Sequence, residues 1–309
     1  MRHRRHCARL VRAGTIGLRE TPRVTTSSTV DPRTLPNLVV IGGTKCGTTS
    51  LHAYLALHPQ IFMSRVKEVQ FFTNHFAKGV SWYAGHFRQG REHAVRGEAS
   101  PQYTCHPRIT GIPARMHAVL PDAKLIYLVR DPFARLRSHV VFMAADRKAP
   151  SLEALLDPFE TNPYVAQSRQ AWQLEQYLAV FPRERILVIA AEDLRDARRA
   201  ALAEVFRFLD VEPFDSPDLD AELNATEVAR RDGGIASRLI HAVAALRPGR
   251  FVPARYGLPV RNRALRLFSR PVAPPPMSAA LESRLREVFA ADAARLRRLT
   301  GLRLDRWSV

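Results

Sequence analysis

The residues with the clearest chemical potential lie in one short segment after an apolar run. Residues 42–51 contain three glycines, a lysine and a row of hydroxyl side chains, and the sequence then continues in a helical pattern. A strand-to-helix junction of this kind directs backbone N–H groups and the positive end of a helix dipole at one point, where a phosphate-like anion binds. Lys45 adds a cation, and Thr48, Thr49 and Ser50 add hydroxyls. A tight turn with solvated hydroxyls is the plain structural alternative, and the lysine favours the anion-binding interpretation.

The position of the lysine separates this segment from the nucleoside triphosphatase signature. In GxxxxGK[ST] the lysine follows the second glycine, whereas Lys45 precedes Gly47 by two residues. We therefore expect Lys45 to reach the anion from inside the turn. A P-loop kinase acting on a small molecule stays open as an alternative function.

A second basic position follows another apolar run. Arg130 comes directly after residues 125–129, Pro132 suits the first position of a helix, and Ser138 lies eight residues beyond Arg130. An arginine fork with a hydroxyl is suited to a second phosphate, although Arg130 could instead pair with Asp131. Two phosphate sites predict a ligand with two separate phosphate groups, which among common nucleotides points to coenzyme A or 3′-phosphoadenosine 5′-phosphosulfate (PAPS).

The segments that precede these residues are short runs that are apolar on both faces. The runs 38–41, 125–129 and 186–190 are each followed by a helix-like segment, as in buried parallel strands. They predict an α/β fold with a P-loop-like parallel β-sheet flanked by helices on both faces. A terminal helix is predicted over 278–300, with Ser278 as N-cap and Gly301 past its end, and an extended stretch over 271–276. We expect a basic, disordered leader over 1–36 and one domain over 37–309.

Charge and cysteine content narrow the function classes. The 309 residues carry a formal charge of +18, yet residues 37–229 are balanced, and the excess lies in 1–36 and 230–309. A neutral central region argues against a nucleic-acid-binding module, which is the second alternative. Three cysteines are too few for a disulfide framework, so a reducing, cytoplasmic location is expected. No transmembrane segment and no metal site are predicted.

Taken in order, the motifs resemble those of the PAPS-dependent sulfotransferases, in the branch of the heparan sulfate N- and 3-O-sulfotransferase domains and their bacterial relatives. The resemblance runs from about Pro36 to Trp307. The segments that carry it are 42–51, Leu57-His58-Pro59, Lys67-Glu68-Val69-Gln70-Phe71-Phe72, Lys78-Gly79-Val80-Ser81-Trp82-Tyr83, Gly97-Glu98-Ala99-Ser100-Pro101-Gln102-Tyr103, and Leu128-Val129-Arg130-Asp131-Pro132 with Ser138.

The resemblance implies the sulfotransferase fold, PAPS as the sulfate donor, and transfer of the sulfuryl group to a hydroxyl or amine of an acceptor such as a glycan, another cell-surface molecule or a secondary metabolite. It implies that Arg130 and Ser138 bind the 3′-phosphate and that Glu68 is the catalytic base, with no metal required. Lys45 is implied as catalytic as well as donor-binding. The remaining residues of the implied 5′-phosphosulfate loop are Cys46, Gly47, Thr48, Thr49 and Ser50.

Some features depart from the family pattern or stay open. Cys46 stands where relatives often carry a small or polar residue, and a thiol in such a loop could be oxidised or alkylated. The basic loop that closes over the nucleotide is expected within 247–263. Its candidate residues are Arg247, Arg250, Arg255 and Tyr256. If Glu68 is not the base, His75, His106 and His139 are next, and a relative that binds nucleotide without transferring sulfate is the third alternative.

Overall fold

The structure is a computed structural model that describes residues 30–144, 151–220, 230–232, 269–271 and 276–309. Its centre is a parallel sheet of five strands, which are β1 (Leu38–Gly42), β2 (Ile61–Met63), β3 (Val95–Ala99), β4 (Lys124–Val129) and β5 (Ile186–Ala190). Their order across the sheet is β2-β3-β1-β4-β5. From β1 the chain crosses to the edge strand β2, returns to place β3 between β2 and β1, and then adds β4 and β5 on the other side of β1. Ligands of open α/β sheets bind beyond the carboxyl ends of the strands at such a switch point.

The three apolar runs form the three strands predicted from them. Every residue of β1 is buried, and β1 pairs with β4 on one side and with β3 on the other. Alternate residues of β1 enter different cores, since Val39 and Ile41 pack on one face while Leu38 and Val40 pack on the other. The predicted arrangement of helices on both faces of a parallel sheet is therefore confirmed.

Strands β2 and β3 were not among the predicted elements. β2 has only three residues, and β3 carries Arg96, Gly97 and Glu98 in its centre. Neither reads as a continuous apolar run, which is the signal that identifies a buried parallel strand. Glu98 is nevertheless fully buried, because other side chains bond its carboxylate.

Helices cover the sheet on both sides. Met116, Leu174 and Leu296 belong to one core, and Leu51 and Val205 to the other. The helices are α1 (Thr48–Leu55), α2 (Val80–Ala84), α3 (Ile112–Val119), α4 (Pro132–Ala144), α5 (Leu152–Leu155), α6 (Pro163–Ser168), α7 (Gln170–Leu178), α8 (Ala191–Asp196), α9 (Arg198–Leu209) and α10 (Ala279–Thr300), with a π-helix over Phe71–His75. None of these helices combines the length and the apolar composition that a membrane-spanning helix needs.

The terminal helix α10 forms as its pattern predicts. Ser278 Oγ accepts the N–H of Leu281, and Gly301 takes the left-handed conformation after the last turn. From its buried face, Asp292 accepts the N–H groups of Ala171 and Trp172 at the start of α7. The last helix thereby fixes the start of α7, and with it Gln170.

Two further strands, β6 (Arg230–Asp232) and β7 (Ser269–Pro271), pair antiparallel in a separate small sheet. Several sequence predictions fall outside the described residues. These are most of the leader over 1–36, the candidates Arg247, Arg250, Arg255 and Tyr256, and residues 272–275 of the predicted extended stretch.

Candidate active site

The segment after β1 forms the predicted turn into α1. Gly47 has φ +92° and Lys45 has φ +68°, so two residues of this short loop lie in the left-handed region. Glycine adopts that region freely, but lysine does so only where its surroundings hold it there. Gly42, at the end of β1, approaches Thr104 so closely that a Cβ would lie 2.2 Å from its hydroxyl oxygen.

Neighbouring segments hold this loop in place. The N–H of Gly43 donates to the carbonyl of Leu128 in β4 at 2.6 Å, and the N–H of Cys46 returns to the carbonyl of Gly43 at 3.1 Å. Beyond Gly47, Thr49 is exposed and Ser50 half-buried in the first turn of α1. The N–H groups of a first helical turn have no acceptor within their own helix, so this end of α1 suits an anion.

Arg130 lies beside this loop. Its Nη1 donates to the carbonyl oxygen of Lys45 at 3.0 Å, so the two predicted phosphate-binding segments meet at the carboxyl edge of β1 and β4. Gln170 fixes the backbone of Arg130 from both sides, accepting its N–H at 2.8 Å and donating to its carbonyl at 2.6 Å. The ammonium of Lys45 lies 4.6 Å from the ring centre of Phe142, a residue that is 41% exposed.

Cys46 points away from the face on which an anion would bind. Its side chain is 1% exposed and packs in the core beneath the loop, with Sγ 3.9 Å from Gln170 Oε1. Burial raises the pKa of the thiol to about 11. The expectation of a reactive loop thiol is therefore corrected, because a buried, protonated sulfur is a poor nucleophile.

Asp131 does not pair with Arg130, as the alternative interpretation of that arginine required. Its Oδ1 accepts the N–H of Ala134 at the start of α4, and its Oδ2 accepts the N–H and hydroxyl of Ser308. Glu192 accepts the N–H of Asp131 and the indole N–H of Trp307. The two carboxylates thus attach the end of the chain to the segment that carries Arg130.

Sequence reasoning missed Arg135 and Gln170, which support this site from within. Arg135 is 1% exposed on α4, and its Nη1 donates to the carbonyl of Thr44 in the loop. In the sequence it is one arginine among many. The signal that could have found it is its position on the buried face of α4 beside Leu136 and Val140. Ser138 lies on the same helix and is half-buried.

Glu68 lies in a second strained turn at the same edge of the sheet. Glu68 has φ +64° and Gln70 has φ +55°, and the N–H of Glu68 donates to the carbonyl of Ala99 at the end of β3. The Glu68 side chain is 29% exposed. Its Oε1 accepts from Lys67 Nζ at 2.7 Å, and its Oε2 accepts from Gln70 Nε2 at 3.4 Å. Non-glycine residues held in this region often occur at functional sites.

A buried polar network supports this turn. Ser100 Oγ accepts the N–H of Gln70 at 3.1 Å and donates to Glu98 at 2.6 Å. Tyr83 and Tyr103 also donate to Glu98, at 2.6 and 2.8 Å. Burial raises the pKa of Glu98, while these three hydroxyl bonds act in the opposite direction. Tyr83 and Tyr103 are therefore core residues.

The alternative base candidates occupy different surroundings. His139 is buried with Nδ1 3.5 Å from Arg135, and burial followed by the Arg135 charge holds its pKa well below the usual range. His106 packs against Trp172, and burial lowers its pKa. His75 packs edge-on against Trp82, which is half-buried beneath the ammonium of Lys78.

The fold and this site define an α/β protein that presents a cationic, glycine-containing loop and an arginine at the carboxyl edge of a parallel sheet. Residues 35–226 match the family model of the sulfotransferase domain. The chain therefore belongs to the sulfotransferase family, whose general donor is PAPS. This membership gives no support to the kinase alternative. Among the described residues no three His, Cys, Asp or Glu side chains are grouped to hold a metal ion.

Several known proteins are similar to the chain. Membrane-associated sulfotransferase kil1 of Dictyostelium discoideum is 41% identical over 125 residues, covering 38% of this chain and 26% of that protein. The bifunctional heparan sulfate N-deacetylase/N-sulfotransferase 2 of Bos taurus is 26% identical over 64% of this chain and 24% of its own length. Heparan sulfate glucosamine 3-O-sulfotransferase 6 of Mus musculus is 28% identical over 57% of this chain and 53% of its length.

The chain spans about a quarter of the length of the first two of these relatives. Among solved structures, a sulfotransferase from Alicyclobacillus acidocaldarius superposes with a TM-score of 0.62 at 24% identity, covering 89% of this chain and 99% of that one. At 24% identity, the similarity to this structure establishes the fold alone. The predicted sulfotransferase fold is therefore confirmed.

Proposed function

We propose that this protein transfers the sulfuryl group of PAPS to a hydroxyl or amine of an acceptor. The observation that carries the proposal is the meeting of two cationic segments, where the Arg130 guanidinium bonds the carbonyl of Lys45 at the carboxyl edge of β1 and β4. Membership of the sulfotransferase family supports the same donor. A donor with a 5′-phosphosulfate and a 3′-phosphate suits a lysine loop and an arginine fork placed side by side.

In the proposed reaction the acceptor atom attacks sulfur in line as the bond to the bridging oxygen breaks. Negative charge grows on the departing 3′-phosphoadenosine 5′-phosphate (PAP), and Lys45 and the loop N–H groups stabilise it. Glu68 accepts the acceptor proton. The strained backbone of Glu68 and the partial exposure of its carboxylate support this role.

We propose a carbohydrate as the acceptor class. The names of two similar proteins state that they act on heparan sulfate, and Trp82, His75 and Lys78 form an aromatic and cationic patch that follows the Glu68 turn in the chain. A cation suits the acidic groups that many glycans carry, and the Trp82 ring beneath Lys78 holds the ammonium in place.

The donor is tested by comparing the equilibrium binding of PAP and ATP to the full chain. We expect clear preference for PAP. Binding of ATP at least as tight, together with phosphate transfer from labelled ATP, would overturn the proposal.

The acceptor is tested by incubating the protein with sulfur-labelled PAPS and fractionated extracts of the source organism. We expect label in a carbohydrate fraction, and label confined to protein or lipid would exclude the proposed acceptor class.

A further inference from the structure

Arg135 is the most deeply buried cation beside the candidate donor site. It projects from α4, and its guanidinium makes four hydrogen-bond contacts. Nε donates to Ser168 Oγ at 3.0 Å and Nη1 to the carbonyl of Thr44 at 3.2 Å, while Nη2 contacts the carbonyl of Tyr164 at 2.9 Å and His139 Nδ1 at 3.5 Å. Arg135 therefore links the loop to α6 through a single side chain.

All four of these acceptors are electrically neutral. Within the described part of the chain no carboxylate forms an ion pair with Arg135, and His139, whose pKa burial holds well below its usual range, faces it as a neutral ring. A buried charge is costly unless it is paired, and carbonyl dipoles offset only part of that cost. Burial accordingly lowers the pKa of Arg135 to about 10, which still leaves it protonated at neutral pH. The interior beneath the loop thus carries a positive charge that no carboxylate of the described residues pairs with directly.

The contact with Thr44 also fixes which way the loop faces. Arg135 holds the carbonyl of Thr44 and Arg130 holds the carbonyl of Lys45, so two successive carbonyls of the turn are bound by guanidinium groups. A carbonyl bound by a cation is kept from turning toward a bound anion, which it would repel. Arg135 also contacts the loop from a buried position, where its field is screened less than that of a surface residue.

We propose that Arg135 is a positioning residue for the sulfate donor, orienting the loop through Thr44 and supplying from beneath it a positive charge that the donor's phosphates balance. The inference rests on the proposed function, because it takes an anionic nucleotide as the ligand. A purely structural role for Arg135, joining α4 to α6, would instead weaken folding without regard to the charge of the ligand.

The test compares ligands that differ in charge on full-length variants. PAP, with two phosphates, and adenosine 5′-monophosphate, with one, are titrated by calorimetry into the wild type, Arg135→Gln and Arg135→Lys. Arg137→Gln is the matched control, since it removes the same charge from an exposed position two residues along α4. Thermal unfolding without ligand is measured for each protein.

We expect Arg135→Gln to weaken PAP binding about tenfold to a hundredfold and to weaken binding of the monophosphate several-fold less, since each phosphate adds to the interaction lost. Arg137→Gln should bind PAP within about twofold of the wild type. Equal losses for the two ligands in Arg135→Gln would assign Arg135 a structural role and overturn the inference.

Arg135→Lys keeps the test decisive if Arg135→Gln does not fold. Lysine retains the charge but cannot span Thr44, Tyr164 and Ser168 together, so we expect PAP affinity to fall about threefold or more, with the ratio of PAP to monophosphate affinity near that of the wild type. Wild-type PAP affinity in this variant would contradict the inference. If the wild type failed to bind PAP, the proposed function itself would be overturned. If the wild type bound PAP and both Arg135 variants bound it equally well, only the role of Arg135 would be overturned.

Discussion

Two strained turns lie at the same edge of the sheet, and their surroundings differ. The loop at Lys45 is bound through its carbonyls by two guanidinium groups, those of the half-buried Arg130 and the buried Arg135. The turn at Glu68 is supported by hydroxyl groups that lead to a buried carboxylate, Glu98. The first turn is surrounded by positive charge, and the second is supported by an acidic network.

The difference matches the opposite demands of the two proposed ligands. A donor with several negative charges needs a fixed cationic frame, whereas an acceptor about to lose a proton needs a carboxylate that the acceptor can reach. Arg135 is accordingly 1% exposed, while the Glu68 side chain is 29% exposed. The donor loop is held from beneath by a buried group that bonds its backbone, whereas the acceptor side presents its side chain to solvent.

The largest effect on activity is expected from removing the cation of the first turn. We expect Lys45→Met to lower the rate of sulfuryl transfer by about 10²–10³-fold, because the charge growing on the departing PAP loses its closest proposed partner. PAP binding should weaken as well. Single-turnover transfer and calorimetry measure the two effects.

Lys124→Met serves as its control. Lys124 starts β4 at the opposite edge of the sheet and pairs with exposed Asp210, so its loss should leave transfer within about twofold. Similar losses in both lysine variants would mean that net charge, rather than the place of Lys45, sets the rate.

Removing the carboxylate of the second turn should separate turnover from donor binding. We expect Glu68→Gln to reduce kcat by about 10²-fold or more while PAP affinity stays within about twofold, because Glu68 acts on the acceptor side. Glu92→Gln, at an exposed ion pair with Arg91, is the control. If Glu68→Gln turned over normally, the base would have to be sought among the histidines, of which His139 faces Arg135 rather than the Glu68 turn.

A smaller effect is expected from the amide that holds Arg130. Gln170→Leu removes both bonds to the Arg130 backbone and should weaken PAP binding about tenfold, with little change in kcat at saturating donor. Gln176→Leu on the same helix, where the side chain bonds only its own helix, should bind PAP normally. Unchanged PAP binding in Gln170→Leu would show that the loop holds Arg130 without this clamp.

The sequence predicted the donor side more fully than the acceptor side, for physical reasons. Val39, Val40 and Ile41 are apolar on both faces of a strand, and the glycine turn after them is local, so both features are visible over a few residues. Glu98 gives no such signal. Its burial depends on Tyr83 and Tyr103, which lie at separate positions along the chain, and a glutamate within a short strand reads as an exposed residue.

Arg135 and Gln170 escaped prediction for the same reason. Their partners, Thr44 and the Arg130 backbone, lie far away along the chain and come close only when the sheet and helices have assembled. The composition adds to the difficulty, because only five of the 47 basic residues are lysines. A single buried arginine can be distinguished from the many exposed ones only by its position on the buried face of α4.

On the acceptor side, Ser100 offers a milder test. Ser100→Ala removes the hydroxyl that joins Gln70 to Glu98, leaving the Gln70 N–H without that acceptor. We expect kcat to fall about threefold to tenfold through a less well held Glu68, with PAP affinity unchanged. Thr73→Ala is a nearby control that removes only a hydroxyl bond to the Gln70 carbonyl. A loss of PAP affinity in Ser100→Ala would show that the two turns are not independently supported.

The smallest effect is expected from alkylation of Cys46. The extent of alkylation measures how well the core beneath the donor loop excludes solvent. Burial raises the pKa of its thiol to about 11, so only about a thousandth of it is thiolate at pH 8, and the core covers the sulfur. We expect iodoacetamide at pH 8 to leave the Cys46 peptide unmodified in the folded protein, with PAP binding intact, and to modify it after unfolding in denaturant. Mass spectrometry of the digested protein reads both states. Rapid modification in the folded protein would mean that the core beneath the loop opens to solvent. The buried support of the donor loop would then no longer distinguish it from the Glu68 turn.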